Sequence, residues 1–364
     1  MRILFTTNAA IGHLLPMAPT AQKLIELGHA VRVACPSRFA TTVTGLGLRA
    51  IACREEPVAV AVVPFPELPD PRARLAWAVM SGWPWDAREW VDTLLEHARI
   101  WHPELVVVEP VEYAGRIVAA ALGIPWVLHG WGFTLPAAMS ADPPSTIADL
   151  YTRLAPTRAT APALCTDLGP PSVQADDALP AARYRYRPWS QAEWPRPTCS
   201  ERRRVLVTLG TYANADAAER TRLIAAAAAG LVDEVLVVLG NSDRGPATDF
   251  PPGTVALPWV DMPAAVAACD AIVHHGGAGT SWAALCAGRA AVVLPQAGDQ
   301  LRNADLLSLA GAALCLQATD LNRSVISHAI SRALNEPALA ASAARIAAEN
   351  ARLPDLDRLA ADLV

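Results

Sequence analysis

The chain has 364 residues, 52% hydrophobic and 18% charged, with a formal net charge of −5; that length fits two domains, each with its own core, and a mildly acidic chain without a basic block excludes nucleic acid as an expected partner. Seven cysteines, at 35, 53, 165, 199, 269, 286 and 315, form no Cys-x-x-Cys pair, which argues against a zinc site or a disulfide framework and for a reducing compartment. The opening Met-Arg-Ile-Leu-Phe-Thr-Thr lacks the apolar run of a secretion signal, and no run elsewhere reaches the roughly 20 residues that cross a membrane, so a soluble cytoplasmic protein is expected.

Residues 2–7 (RILFTT) read as a first strand, followed by a loop of small residues from Asn8 to Gly12. A helical pattern then ends near Leu27, with Gly28 placed to cap it. Residues 30–35 read as the second strand, and 104–109 and 125–129 as two more with a helix between them. The stretch 54–72 is proline-rich and irregular, and Asp86 with Glu89 has the form of a capping box opening a helix over 87–101. Residues 134–182 carry many prolines and few clear periods, so loops and short helices are expected there.

Residues 188–200 (PWSQAEWPRPTCS) hold three prolines among polar residues and read as an interdomain linker. The alternation then restarts, with strands at 204–209, 234–239, 270–274 and 290–294 and helices between; the last ~40 residues look helical. Apolar strands alternating with helices predict parallel sheets covered on both faces. The expected fold is therefore α/β, with two doubly wound Rossmann-like domains over 1–190 and 200–345 and a terminal helix, 346–364, returning to the first. Two such domains facing each other would leave a cleft beyond the carboxyl ends of the strands, where ligands of such sheets bind.

The strongest local signal is His274-His275-Gly276-Gly277-Ala278-Gly279-Thr280, between the strand 270–274 and a helical pattern. Glycines admit a ligand close to the backbone, and helix-start N–H groups suit an anion. The imidazoles and the Thr280 hydroxyl add side-chain donors for phosphate oxygens. A dinucleotide site fits less well: the loop Asn8-Ala9-Ala10-Ile11-Gly12-His13 lacks Gly-x-Gly-x-x-Gly, and the second strand ends at Cys35-Pro36 without a ribose-binding acid. An NAD-dependent oxidoreductase is disfavoured on those grounds.

This stretch resembles the donor-binding signature of family-one glycosyltransferases with the two-Rossmann GT-B architecture, above all actinobacterial enzymes that decorate enediyne and macrolide antibiotics. The likeness is strongest over 1–35, 104–132 and 204–316 and weak over 54–100 and 134–182. It implies inverting transfer of a (deoxy)sugar from a dTDP- or UDP-sugar to a lipophilic aglycone. The nucleotide sugar would be a substrate, so no cofactor and no metal ion are expected. The implied partners are the donor and a small lipophilic acceptor; a homodimer is compatible.

The likeness carries over residue by residue. Asp299 and Gln300 match the acid–Gln pair that contacts the donor sugar, although Asp299 alone would serve equally as a helix N-cap. Trp259 and Val260, in Leu257-Pro258-Trp259-Val260-Asp261, match the loop that holds the nucleobase; many relatives carry proline where Asp261 stands, and Trp259 read alone could be core. Gly210 and Thr211 match a donor-side turn. His13, in Gly12-His13-Leu14-Leu15-Pro16, matches the general base, a role that suits imidazole chemically. Glu109 matches the carboxylate that orients the base, as a longer replacement for the commoner Asp. Glu112 competes for that role but reads better as a helix N-terminal residue favoured by the dipole. Nine of the eleven tryptophans precede residue 200. Trp77, Trp83, Trp85 and Trp90 cluster, and Trp131 and Phe133 follow the strand 125–129. Relatives build the acceptor pocket from these regions, with Trp77, Trp83, Trp131 and Phe133 as its candidates here; helix packing is the alternative for each tryptophan. Two further rivals remain open, a sugar-nucleotide epimerase and a non-catalytic partner protein of similar fold.

Overall fold

The structure is a computed structural model that describes residues 1–54, 83–137, 145–155, 161–190, 202–210, 217–240, 250–296, 298–317 and 321–364. The chain separates into two compact units. One comprises Met1–Pro170, Gln174–Arg187 and Leu353–Val364, and the other Pro171–Val173 and Pro188–Arg352. No helix among the described residues is long and apolar enough to cross a membrane.

The first unit holds strands β1 (Arg2–Thr6), β2 (Ala30–Pro36), β3 (Ala50–Cys53), β4 (Leu105–Val108), β5 (Trp126–His129), β6 (Leu164–Leu168) and β7 (Ala182–Tyr184). They form one parallel sheet in the order β3-β2-β1-β4-β5-β6-β7. All four residues of β4 are buried, as expected of a strand covered by helices on both faces. The helix Ala18–Glu26 ends at Leu27, and Gly28 follows with φ +85°, a left-handed conformation open to glycine. The terminal helix Leu356–Leu363 belongs to this unit. It packs on Ala18–Glu26, where Lys23 pairs with Asp357, and Tyr184 donates to Asp362 at 2.7 Å.

The second unit holds β8 (Arg204–Thr208), β9 (Glu234–Val238), β10 (Thr254–Leu257), β11 (Ala271–His274), β12 (Ala290–Val293) and β13 (Ala313–Cys315). Its sheet is parallel in the order β10-β9-β8-β11-β12-β13. Val205, Val207, Val273 and Val292 are buried at its centre, under Ile224 and Ile330 from the covering helices.

Two sequence expectations are corrected. Residues 134–182 contain β6 and the first residue of β7, not only loops and short helices. The β6 sequence Leu-Cys-Thr-Asp-Leu does not read as a strand because its buried Thr166 and Asp167 break the apolar run. The helix expected over 87–101 opens at Trp83 instead, so Asp86 lies inside its first turns and is not a cap. Pro84 explains the earlier start, since proline suits the first turn of a helix, where its missing N–H has no partner to lose.

Candidate active site

In each sheet the chain reverses direction between its first and fourth strands, and the crevice at such a switch point lies between those strands' carboxyl ends. In the first unit β1 pairs with β4, with Thr6 opposite Val108. The residues just beyond each strand are therefore neighbours although 96 positions separate His13 from Glu109.

His13 lies on the short helix Ile11–Leu14, and its side chain is 13% exposed against 0% for Glu109. Its Nδ1 is 3.0 Å from Oε1 of Glu109. The same Oε1 accepts from Asn8 Nδ2 at 3.0 Å, and Oε2 accepts the Val111 N–H at 2.8 Å. Asn8 Nδ2 also donates to the Val111 carbonyl at 3.0 Å, tying the segment after β1 to the segment after β4. Facing a carboxylate, Nδ1 of a neutral His13 carries the ring proton, which makes Nε2 the basic nitrogen. Asn8 was not singled out from the sequence; its only local signal is its place at the end of the first strand.

Glu112 does not compete for His13. It accepts the Gly115 N–H at 2.9 Å and the Thr6 hydroxyl, at the start of the helix Ala114–Leu122. Burial pushes its carboxyl up to about 7, against the lowering effect of the Thr6 and Gly115 bonds, and nearby Glu109 adds to the rise. Glu112 thus stands at a helix N-terminus, as its sequence position suggests, and burial, which disfavours the charged form, is what raises its carboxyl.

Trp131 packs its ring 4.5 Å from the His13 ring, centroid to centroid. Trp131 and Phe133 are both buried and line a small pocket with Pro110, Leu128, Thr134 and Asp167. Asp167 is buried in its wall, and burial raises its carboxyl despite donors from Thr134, Leu168 and Gly132. Trp90 is core, 1% exposed, and does not line this pocket. Trp77 and the side chains of Trp83 and Trp85 lie outside the described residues.

The second unit repeats the layout, with β8 beside β11 and Thr208 opposite His274. Gly210 has φ +73°, and a Cβ on it would stand 2.5 Å from Cε1 and 2.6 Å from Nε2 of His275. Gly277 abuts the same ring from another side. The two glycines thus make the space that the His275 imidazole occupies. His274 is fully buried and accepts the Gly276 N–H on Nδ1 at 3.0 Å. Burial, aided by His275, holds its imidazole down at about 3, so it stays neutral. Ala278, Gly279 and Thr280 form the first turn of the helix Ala278–Cys286, whose cap residue, Gly277, makes no side-chain bond. Amides in such a turn have no acceptor within their own helix and suit an anion.

Asp299 sits at the N-cap position of the helix Gln300–Leu309 but makes no capping bond; its Oδ2 accepts from Asn303 instead. Gln300 is buried, and its Oε1 accepts the Gln296 N–H at 2.9 Å. Val260 is buried and Trp259 half-buried, outside the core. Asp261 caps the helix Met262–Ala267 and accepts the Ser190 hydroxyl at 2.5 Å, a structural role that the sequence did not reveal. Thr211 lies outside the described residues. Among the described residues no group of three or more His, Cys, Asp or Glu is placed to hold a metal ion.

Comparison with known proteins bears on both units. Residues 75–210 match the N-terminal domain of the family described as erythromycin biosynthesis protein CIII-like, and 222–364 match its C-terminal domain. L-demethylnoviosyl transferase of Streptomyces niveus is 33% identical, over 97% of this chain and 95% of its own. The glycosyltransferase SsfS6 of Streptomyces sp. SF2575, solved with thymidine diphosphate, is 26% identical with a TM-score of 0.84, covering 99% of this chain and 98% of that one. The spinosyn rhamnosyltransferase SpnG, solved with spinosyn aglycone, is 26% identical with a TM-score of 0.83 over all of both chains.

Proposed function

The chain belongs to the erythromycin biosynthesis protein CIII-like family of antibiotic glycosyltransferases, and from that premise we propose that it moves a (deoxy)sugar from a dTDP- or UDP-linked donor to a lipophilic natural-product aglycone, with inversion at the anomeric carbon. The observation that carries this reading is the hydrogen bond of His13 Nδ1 to a Glu109 carboxylate that is itself held by Asn8 and Val111. A base built this way has a fixed ring and a fixed tautomer, with Nε2 as the nitrogen that takes the proton of an acceptor hydroxyl.

In the proposed step the acceptor oxygen attacks the anomeric carbon as its proton passes to His13. The bond from that carbon to the diphosphate oxygen breaks on the opposite face, and the nucleoside diphosphate leaves with the electron pair. The turn Gly276–Thr280, with His275, supports the charge that develops on it. Trp259 and Val260 hold the base, Gly210 and Thr211 the donor side, and Asp299 and Gln300 the sugar hydroxyls. Trp131 and Phe133, with Trp77 and Trp83, wall the aglycone. No metal ion and no separate cofactor enter this reading. Preference for dTDP follows the thymidine diphosphate bound to SsfS6, and a lipophilic acceptor follows the aglycone bound to SpnG.

The test is His13→Ala, assayed with dTDP-sugars on a panel of aglycones. Turnover is expected to fall about 10²- to 10⁴-fold, the usual worth of a positioned base, while dTDP binds as before. Unchanged turnover would remove His13 from the mechanism, and conversion of donor without acceptor would point to an epimerase.

A further inference from the structure

Asn303 lies one turn beyond Asp299 on the helix Gln300–Leu309 and is 1% exposed. Its Nδ2 is 2.9 Å from the backbone carbonyl of Gly276 and 2.9 Å from Oδ2 of Asp299. Both neighbours are acceptors, so the NH₂ end must face them; the reversed amide would set oxygen against oxygen twice. One NH₂ group therefore gives each of its protons to a different segment, 27 and 4 residues away in the chain.

Gly276 is held from its other sides as well. Its N–H donates to His274, and its φ is +87°. A Cβ there would stand 2.9 Å from the Gln300 carbonyl oxygen and 3.0 Å from Cγ1 of Val293. The glycine turn is thus pressed against the start of the helix that carries Asp299, and Asn303 is the side chain that ties the two.

We propose that Asn303 is a positioning residue for the donor's sugar: it locks the Asp299 carboxylate to the glycine turn, so that the acid reading the sugar keeps a set distance from the turn gripping the diphosphate. The inference rests on the reading of Asp299 as a sugar contact and of Gly276–Thr280 as the diphosphate grip. In a nucleotide sugar the spacing between diphosphate and sugar hydroxyls is set covalently. A protein whose two contacts drift apart loses one of them, because the ligand does not stretch to follow.

The experiment compares binding of dTDP and of dTDP-glucose by calorimetry in the full chain, for the parent, Asn303→Ala, Asp299→Ala and the double variant. Asn303→Ala is expected to raise the Kd for dTDP-glucose about tenfold while the Kd for dTDP moves less than about threefold. Asp299→Ala should show the same selective loss, and the double variant no more than either single one, as residues acting through one contact do. Equal losses on both ligands, or additive losses in the double variant, would overturn the proposal. If Asp299→Ala shows selective loss and Asn303→Ala does not, the positioning role alone fails; if Asp299→Ala shows none, the sugar-contact reading fails and takes the positioning role with it. Because the site is buried, Asn303→Asp provides a variant of the same shape. It removes both donors and should reproduce the selective loss. Adding Asp299→Asn returns an N–H to the 299–303 contact and should recover part of it. An isosteric variant without selective loss would also overturn the proposal.

Discussion

The two units place their functional residues at the same point of the same kind of sheet, yet hold them by different means. In the first, side chain meets side chain: His13, Glu109 and Asn8 form a chain of hydrogen bonds between the ends of β1 and β4. In the second, the absence of side chains matters most: Gly210 and Gly277 clear the space for His275, and Gly277 starts a helix with no capping side chain. The difference matches the two proposed tasks. Taking a proton needs one nitrogen aimed and in the right tautomer, which side-chain partners provide. Gripping a diphosphate needs several donors at close range, which bare backbone provides.

After His13→Ala, the next largest effect is expected in the second unit. Gly210→Val adds a side chain at φ +73° and aims it at the His275 ring. Strain and displacement of that ring are expected to weaken dTDP binding about 10- to 100-fold, read by calorimetry. The fold of the first unit should be untouched, so a general loss of stability without loss of dTDP affinity would contradict the backbone account. Asn8→Ala strikes the first unit instead. Among the described residues it leaves Glu109 the His13 and Val111 donors, and kcat is expected to fall about tenfold with dTDP affinity unchanged. A matching fall in dTDP affinity would blur the division between the units.

The smallest effect sharpens the comparison within the first unit, between two carboxyls three positions apart. Glu112 is raised to about 7 by burial, so the folded chain holds its proton where the unfolded chain has lost it. Its contribution to stability is therefore complete below the ordinary carboxylate range and is lost as pH rises through about 7. Glu112→Gln should flatten that slope, narrowing the difference in thermal midpoint between about pH 5 and about pH 8 by a few degrees. Turnover should change far less than on His13 substitution, because Glu112 bonds Thr6 and Gly115 and not His13.

What the sequence determined by itself lies near the middle of each sheet. The eight strands legible as apolar runs are β1, β2, β4 and β5 in one unit and β8, β9, β11 and β12 in the other, which are central strands. Of the five that were not, β3, β7, β10 and β13 are the edge strands, while β6, one place in like β2, β9 and β12, is masked by its buried Thr166 and Asp167. An edge strand is covered less completely, so selection for apolar residues is weaker and the period fades. The same logic separates the site residues. His274 to Thr280 stand together in the chain because one turn and one helix start build that grip, and a contiguous device leaves a contiguous motif. Asn8 meets Glu109, Asn303 meets Gly276, and Asp261 meets Ser190 only after the strands have paired and brought distant segments side by side. Nor does any local pattern announce that the Glu112 carboxyl is pushed up; that follows from its burial, and only the packed structure decides burial of one polar side chain among apolar neighbours.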